Sequence, residues 1–209
     1  MSLLRGAIEV GDRLGEPNLR LFARQTLLQT LLLVDVDRSW EVAVEARAVA
    51  DEVGDPWWTA VILSWSSVAA NQAQRPDLAL DLAVRSQQLA LEVGDRRQVL
   101  RTSFVLLGVE GAAEHPDAVI TPMEEMLSQA RRVGDDQVEG WLAAAIAIDR
   151  GMSGDLPASA EALRDGLRLA QRLGRWSVEQ LCVAALTMVL SLHGGAEDAA
   201  RLHGGLLSG

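Results

Sequence analysis

Lysine and tyrosine are absent from this 209-residue chain, and cysteine occurs once. All 19 basic residues are therefore arginine. Without lysine there is no Gly-x-x-x-x-Gly-Lys-Ser/Thr phosphate loop, and Gly-x-Gly-x-x-Gly and Gly-x-Ser-x-Gly are missing too. A lone cysteine cannot close an internal disulfide. Cys182, in the run Leu181-Cys182-Val183-Ala184-Ala185-Leu186, has the neighbours of a core residue. Long apolar runs are also lacking. Leu27 to Val34 is interrupted by Gln29 and Thr30 and falls short of a membrane span. The start, Met1-Ser2-Leu3-Leu4-Arg5-Gly6, does not have the charged-then-apolar order of a signal peptide, so a cytoplasmic location without membrane association is expected. Positive charge is scarce. The net charge is −10, and Arg96-Arg97 and Arg131-Arg132 are isolated pairs, so direct nucleic-acid binding is not expected.

What the chain does have is a repeat. An aliphatic residue, a glycine and usually an acid recur as Leu14-Gly15-Glu16, Val53-Gly54-Asp55, Val93-Gly94-Asp95, Val133-Gly134-Asp135 and Leu173-Gly174-Arg175. The five glycines are 39, 40, 40 and 40 residues apart. Half a period away stand Arg75-Pro76-Asp77, His115-Pro116-Asp117 and Asp155-Leu156-Pro157, with Asp37-Arg38-Ser39-Trp40 in the same place one unit earlier. Glycine after an aliphatic residue stops a helix, and Asp, Ser or Pro after a break starts one. Each unit therefore reads as helix, turn, helix.

Between the breaks the apolar residues keep helical spacing. Ala79, Leu82, Ala83, Ser86, Leu89, Ala90 and Val93 share one face. The reading is all-α: an opening helix near 3–14, then five helix pairs. First helices are expected near 18–33, 57–73, 96–113, 136–152 and 176–193. Second helices are expected near 40–53, 77–93, 117–133, 157–173 and 196–207.

Small residues set how closely such helices approach. Ala50, Ala90, Ala130 and Ala170 lie four residues before the repeat glycines. Ala43 and Ala83 lie eleven before, where the next two units have Met123 and Leu163. Two alanines seven apart on one stripe let a neighbouring helix nest. This stripe resembles the tetratricopeptide pattern, though the period is 40 instead of 34 and the turn is Gly-acid. The pattern looks most like the sensor arrays in the C-terminal parts of large bacterial signal-transduction ATPases. Those include maltose-activator-like and other large LuxR-type regulators, and related actinobacterial antibiotic regulators. The ending Ala199-Ala200-Arg201-Leu202-His203-Gly204-Gly205 resembles the last helix of such proteins.

The resemblance implies one right-handed α-solenoid over 1–209, with the nucleotide-hydrolysing and DNA-binding modules elsewhere in a longer chain. The chain opens on Leu3-Leu4 and closes on Leu206-Leu207 with little polar capping. It is therefore expected to be a piece of a longer chain, or to form a homo-oligomer through its solenoid ends.

No catalytic residue, metal ligand or cofactor is expected. His193-Gly194 and His203-Gly204 sit at helix C-termini, where the helix dipole favours a cation, and His115 lies in a turn. The acid pairs Glu124-Glu125 and Asp135-Asp136 point their carboxylates apart, and the second pair reads as a helix start.

The tryptophans say more. Trp57, Trp58 and Trp65 crowd one first helix, with Trp40 before it, Trp141 two units on and Trp176 on the last first helix. They read as core, or as an aromatic lining on the concave surface that first helices form in tetratricopeptide arrays. Trp57 and Trp58 face different ways, so at least one is expected to be exposed. Arg97 and Arg101 share a face, and Arg101 stands where other units have Phe22, Val61, Trp141 and Leu181. Arg101 reads as a groove residue for a ligand or, alternatively, as pairing with an acid across the groove, for example Glu139 or Glu179. The expected function is a non-catalytic sensor scaffold holding a protein segment, a peptide or a small effector. A purely structural oligomerisation module is the alternative.

Overall fold

The computed structural model describes residues 2–32, 34–111, 117–174, 176–195 and 197–201. His115, His203, Leu206-Leu207 and the Trp176 side chain lie outside the described residues. Among the described residues the regular structure is all helix, and the helices group into two compact units, Met1–Ala113 and Glu114–Gly209.

The first unit contains α1 (Ser2–Leu14), α2 (Pro17–Leu31), α3 (Val36–Val53), α4 (Pro56–Gln72), α5 (Pro76–Val93) and α6 (Arg96–Gly111). Each packs on the next, and α4 also packs on α2 and α6. The second unit contains α7 (Asp117–Val133), α8 (Asp136–Met152), α9 (Leu156–Leu173) and α10 (Trp176–Leu192), with residues 197–201 also helical. Here α8 packs on α7, α9 and α10.

The repeat turn works as its chemistry dictates. Gly15, Gly54, Gly94, Gly134 and Gly174 all have φ between 61° and 75°, the left-handed conformation that stops a helix and that a side chain would strain. After Gly54, Gly94 and Gly134 the acid that follows caps the next helix. The Asp55 carboxylate accepts from Trp58 N at 3.0 Å and that of Asp135 from Val138 N at 3.2 Å. Such a cap is worth about 1 kcal/mol. The half-period break uses the same left-handed residue at Gly154 and Gly194, but Gln74 holds that position in the first unit.

One boundary differs from expectation. The second helix of the first pair was placed at 40–53, yet α3 begins at Val36. Asp35 is extended, and its carboxylate accepts from Arg38 N at 3.1 Å, so Asp37 to Trp40 form the first turns instead of the break. The alanine stripe is buried throughout, at Ala43, Ala50, Ala83, Ala90, Ala130 and Ala170, with Met123 and Leu163 buried in the same register. Serine hydroxyls tie helix to helix at two points: Ser86 donates to the Ala60 carbonyl and Ser159 to the Ala147 carbonyl, each at 2.7 Å.

Candidate functional site

In the first unit, the start of α4 and the start of α6 meet through Trp57. Its indole N–H donates to the Asp95 carboxylate at 3.0 Å across 38 residues of sequence. Asp95 also accepts from Arg97 N at 2.9 Å and Gln98 N at 3.2 Å, capping α6. Burial pushes the Asp95 carboxyl up. The hydrogen bonds from Trp57, Gln98 and Arg97, with the charge of Arg101, outweigh burial and hold it below the usual carboxylate range. A carboxylate kept ionised in this way fixes the ring that donates to it.

Trp58 has a different environment. It is 7% exposed in the core cluster with Leu21, Val61 and Ile62, and its N–H donates to Asn18 Oδ1 at 2.7 Å. Its ring meets Trp57 edge to face, with centroids 4.9 Å apart. Such pairs add about 0.5–1.5 kcal/mol beyond burial. Trp58 is thus the wall on which half-buried Trp57 rests. Trp65, two turns along α4, is half-buried between two core clusters. Arg97 is exposed and Arg101 half-buried on α6. The structure therefore gathers Trp57, the Arg97 backbone and Arg101 about Asp95, and Trp65 packs with Trp57 against the core cluster that holds Trp58.

Glu139, Trp141 and Glu179 belong to the second unit. Glu139, expected opposite Arg101, accepts from Arg131 Nε at 2.9 Å. Trp141 is half-buried on α8 and Glu179 is exposed on α10. His193 lies at the end of α10, where its Nε2 donates to the Gly151 carbonyl at 2.7 Å, tying α10 to the end of α8. Cys182 is fully buried, and burial pushes its thiol up to about 11, where it is a poor nucleophile at neutral pH. Among the described residues no three His, Cys, Asp or Glu side chains gather as a metal site, and no helix is long and apolar enough to cross a membrane.

Two polar features escaped the sequence reading. Arg24 is 4% exposed and donates to both Asp12 oxygens, at 2.9 and 2.7 Å, and to Glu45 at 2.9 Å. It joins α1, α2 and α3. The repeat does single it out, because the same register holds Leu63, Ser103, Ala143 and Val183. Trp40 carries two guanidinium groups against its ring, Arg75 at 4.6 Å and Arg47 at 5.2 Å from the centroid. No spacing rule announces that contact, since it joins residues of α3 to the start of α5.

Compared with known proteins, the chain matches no family model and no curated relative. The class that fold and site define is an all-helical protein of repeat-like helix pairs.

Proposed function

We propose that this protein is a non-catalytic binding scaffold, with the Trp57–Arg101 surface of the first unit as its contact for a peptide or partner segment. The observation that carries the reading is Trp57, a half-buried indole held by Asp95, whose carboxylate also accepts from the Arg97 backbone and feels the charge of Arg101. An aromatic ring fixed by a hydrogen bond loses little freedom on binding, and arginine beside it adds directional contacts. The finer architecture, one right-handed solenoid of tetratricopeptide-like pairs, belongs to the same reading and is supported by the 40-residue period. So does the resemblance to sensor arrays of transcriptional regulators, in which occupancy would be relayed without direct contact to nucleic acid.

The test is an array of short random peptides probed with the full chain and with Trp57→Ala/Arg101→Ala. Retention of a peptide subset that the double variant loses supports the scaffold. Equal retention by both proteins removes this surface from the reading.

The oligomerisation alternative is favoured by α1, which exposes Leu3, Val10 and Leu14. Leu3 is 87% exposed and shares a helix face with Val10, seven residues on. Under that alternative, light-scattering mass rises with concentration, the rise survives the Trp57 change, and Leu3→Glu/Leu14→Glu abolishes it.

A further inference from the structure

A second concave site lies in the first unit, where α3 and α5 cross α4. It is a partly open cavity of about 270 Å³ with an apolar floor that includes Ile62, Leu63 and Leu82. Arg47 and Arg85 line it, with Asp51 as the acid present. Two guanidinium groups against one carboxylate leave the lining net positive in a chain whose net charge is −10.

The repeat shows that this charge is local. Arg85 stands where the other second helices carry Glu45, Glu125 and Asp165. Arg47 stands where they carry Gln87, Leu127 and Leu167. Only the α3–α5 junction replaces both residues with arginine, so the helix pair itself does not require them.

Arg47 is also incompletely satisfied. Its Nε is buried and has no hydrogen-bond partner. Burial disfavours its charge, Asp51 favours it, and the like charge of Arg85 opposes it again. Arg85 is well exposed, and its ion pair with Asp81 is long, at 3.9 Å. Trp40 lies under the Arg47 guanidinium, with its ring centroid 5.2 Å from the guanidinium carbon. The cavity thus offers two cationic side chains and an apolar floor.

We propose that this cavity binds a small organic carboxylate, gripped by Arg47 and Arg85, with its apolar body on Ile62, Leu63 and Leu82. A planar guanidinium matches a carboxylate in two parallel hydrogen bonds, which the terminal nitrogens of Arg47 can supply. A bound anion lies between the two like charges of Arg47 and Arg85 and offsets their repulsion. The volume lies just below the roughly 300–1,000 Å³ usual for ligand pockets, which limits the occupant to a compact acid. The site is separate from Trp57, so it stands or falls independently of the scaffold reading.

The experiment is a titration of the full chain with 3-phenylpropionate, its neutral amide 3-phenylpropanamide, and inorganic phosphate, following the binding heat by calorimetry in every variant and the Arg47 Nε–Hε resonance by NMR where Arg47 is kept. The expected result is saturable binding of the carboxylate, weaker binding of the amide, and weaker binding of phosphate, which cannot use the floor. Arg85→Glu restores the acid of the other repeats and should keep the fold while weakening the carboxylate at least about tenfold; Arg47→Gln should do the same. Thermal unfolding of both variants confirms that they are folded. Carboxylate affinity unchanged in the folded variants overturns the proposal. So does amide binding equal to the acid, phosphate binding as tight as the acid, or no saturable shift with the acid at all.

Discussion

The two units share a repeat but join their helices differently. In the first, polar and aromatic side chains span the gaps: Arg24 to Asp12 and Glu45, Trp58 to Asn18, Trp57 to Asp95. In the second, side chains are removed to bring helices together. Gly140 and Gly151 on α8 face Val178 and Val189 on α10, and Gly166 on α9 faces Cys182 on α10. A Cβ at Gly151 would lie 2.6 Å from Val189 Cγ2, and one at Gly166 would lie 2.6 Å from Cys182 Sγ. One fold thus tolerates two solutions, either filling the space between helices with bridged rings and charges, or eliminating the space.

Removing a bridge should matter most. Arg24→Ala leaves two carboxylates facing a cavity where a buried cation stood. It should destabilise the first unit by about 2–3 kcal/mol, somewhat less than for a fully buried pair because Asp12 and Glu45 reach solvent. Native-state hydrogen exchange should show the loss in α1 to α3; unchanged protection there would mean the bridge contributes little.

Adding a side chain to the close contact comes next. Gly140→Ala should cost about 2 kcal/mol in the second unit, because the new Cβ overlaps the Val178 methyls and a β-branched neighbour cannot rotate away. Val178→Ala in the same chain should recover most of the loss, which a general helix effect of the alanine would not explain. Denaturant unfolding of the single and double variants measures this.

A smaller effect sharpens the comparison at one repeat position. Gln74 is an exposed residue at φ 58°, where the second unit has Gly154 at φ 87°. Gln74→Gly should stabilise by about 0.5–1 kcal/mol, raising the melting temperature, and Gly154→Gln should lower it. If both changes move the melting temperature the same way, backbone strain is not the cause.

The smallest expected effect separates the units by pH. The hydrogen bond from Arg24 holds Asp12 below its ordinary 3.8, so its contribution is present above pH 3.8 and is lost as pH falls through the lower folded value. Asp149 behaves in the opposite sense. Burial raises its carboxyl, and its Oδ2 has no partner. Its contribution is present below pH 3.8 and is lost as pH rises through the higher folded value. It stands where other repeats have Ala69, Val109 and Val189, all buried. Lowering the pH below 3.8 should therefore lower exchange protection in α1 to α3, while Asp149→Ala removes the opposite slope from α8. Parallel pH slopes in both units would contradict this assignment.

Much of the helix pattern was legible in the residues. Gly54, Gly94, Gly134 and Gly174 end helices because a left-handed residue favours glycine, and Asp55, Asp95 and Asp135 cap because a carboxylate finds free N–H groups at the next helix start. Both effects are local in sequence, so spacing alone reveals them. The start of α3 was misplaced because Asp35 and Asp37 both qualify as caps, and only backbone conformation distinguishes them. Trp57 and Trp58 illustrate the same limit: adjacent indoles of equal hydrophobicity, one bound to Asn18 in the core and the other half-buried on Asp95.

What the sequence determined by itself is the helical class, the period, the turn chemistry and the buried alanine stripe, since each depends on residues a few positions apart. The tertiary structure decided which tryptophan is core, that Arg24 gathers Asp12 and Glu45, and that Arg47 and Arg85 face one cavity. Those outcomes depend on distances between helices, and the distance a pair of helices adopts follows from all the side chains packed between them.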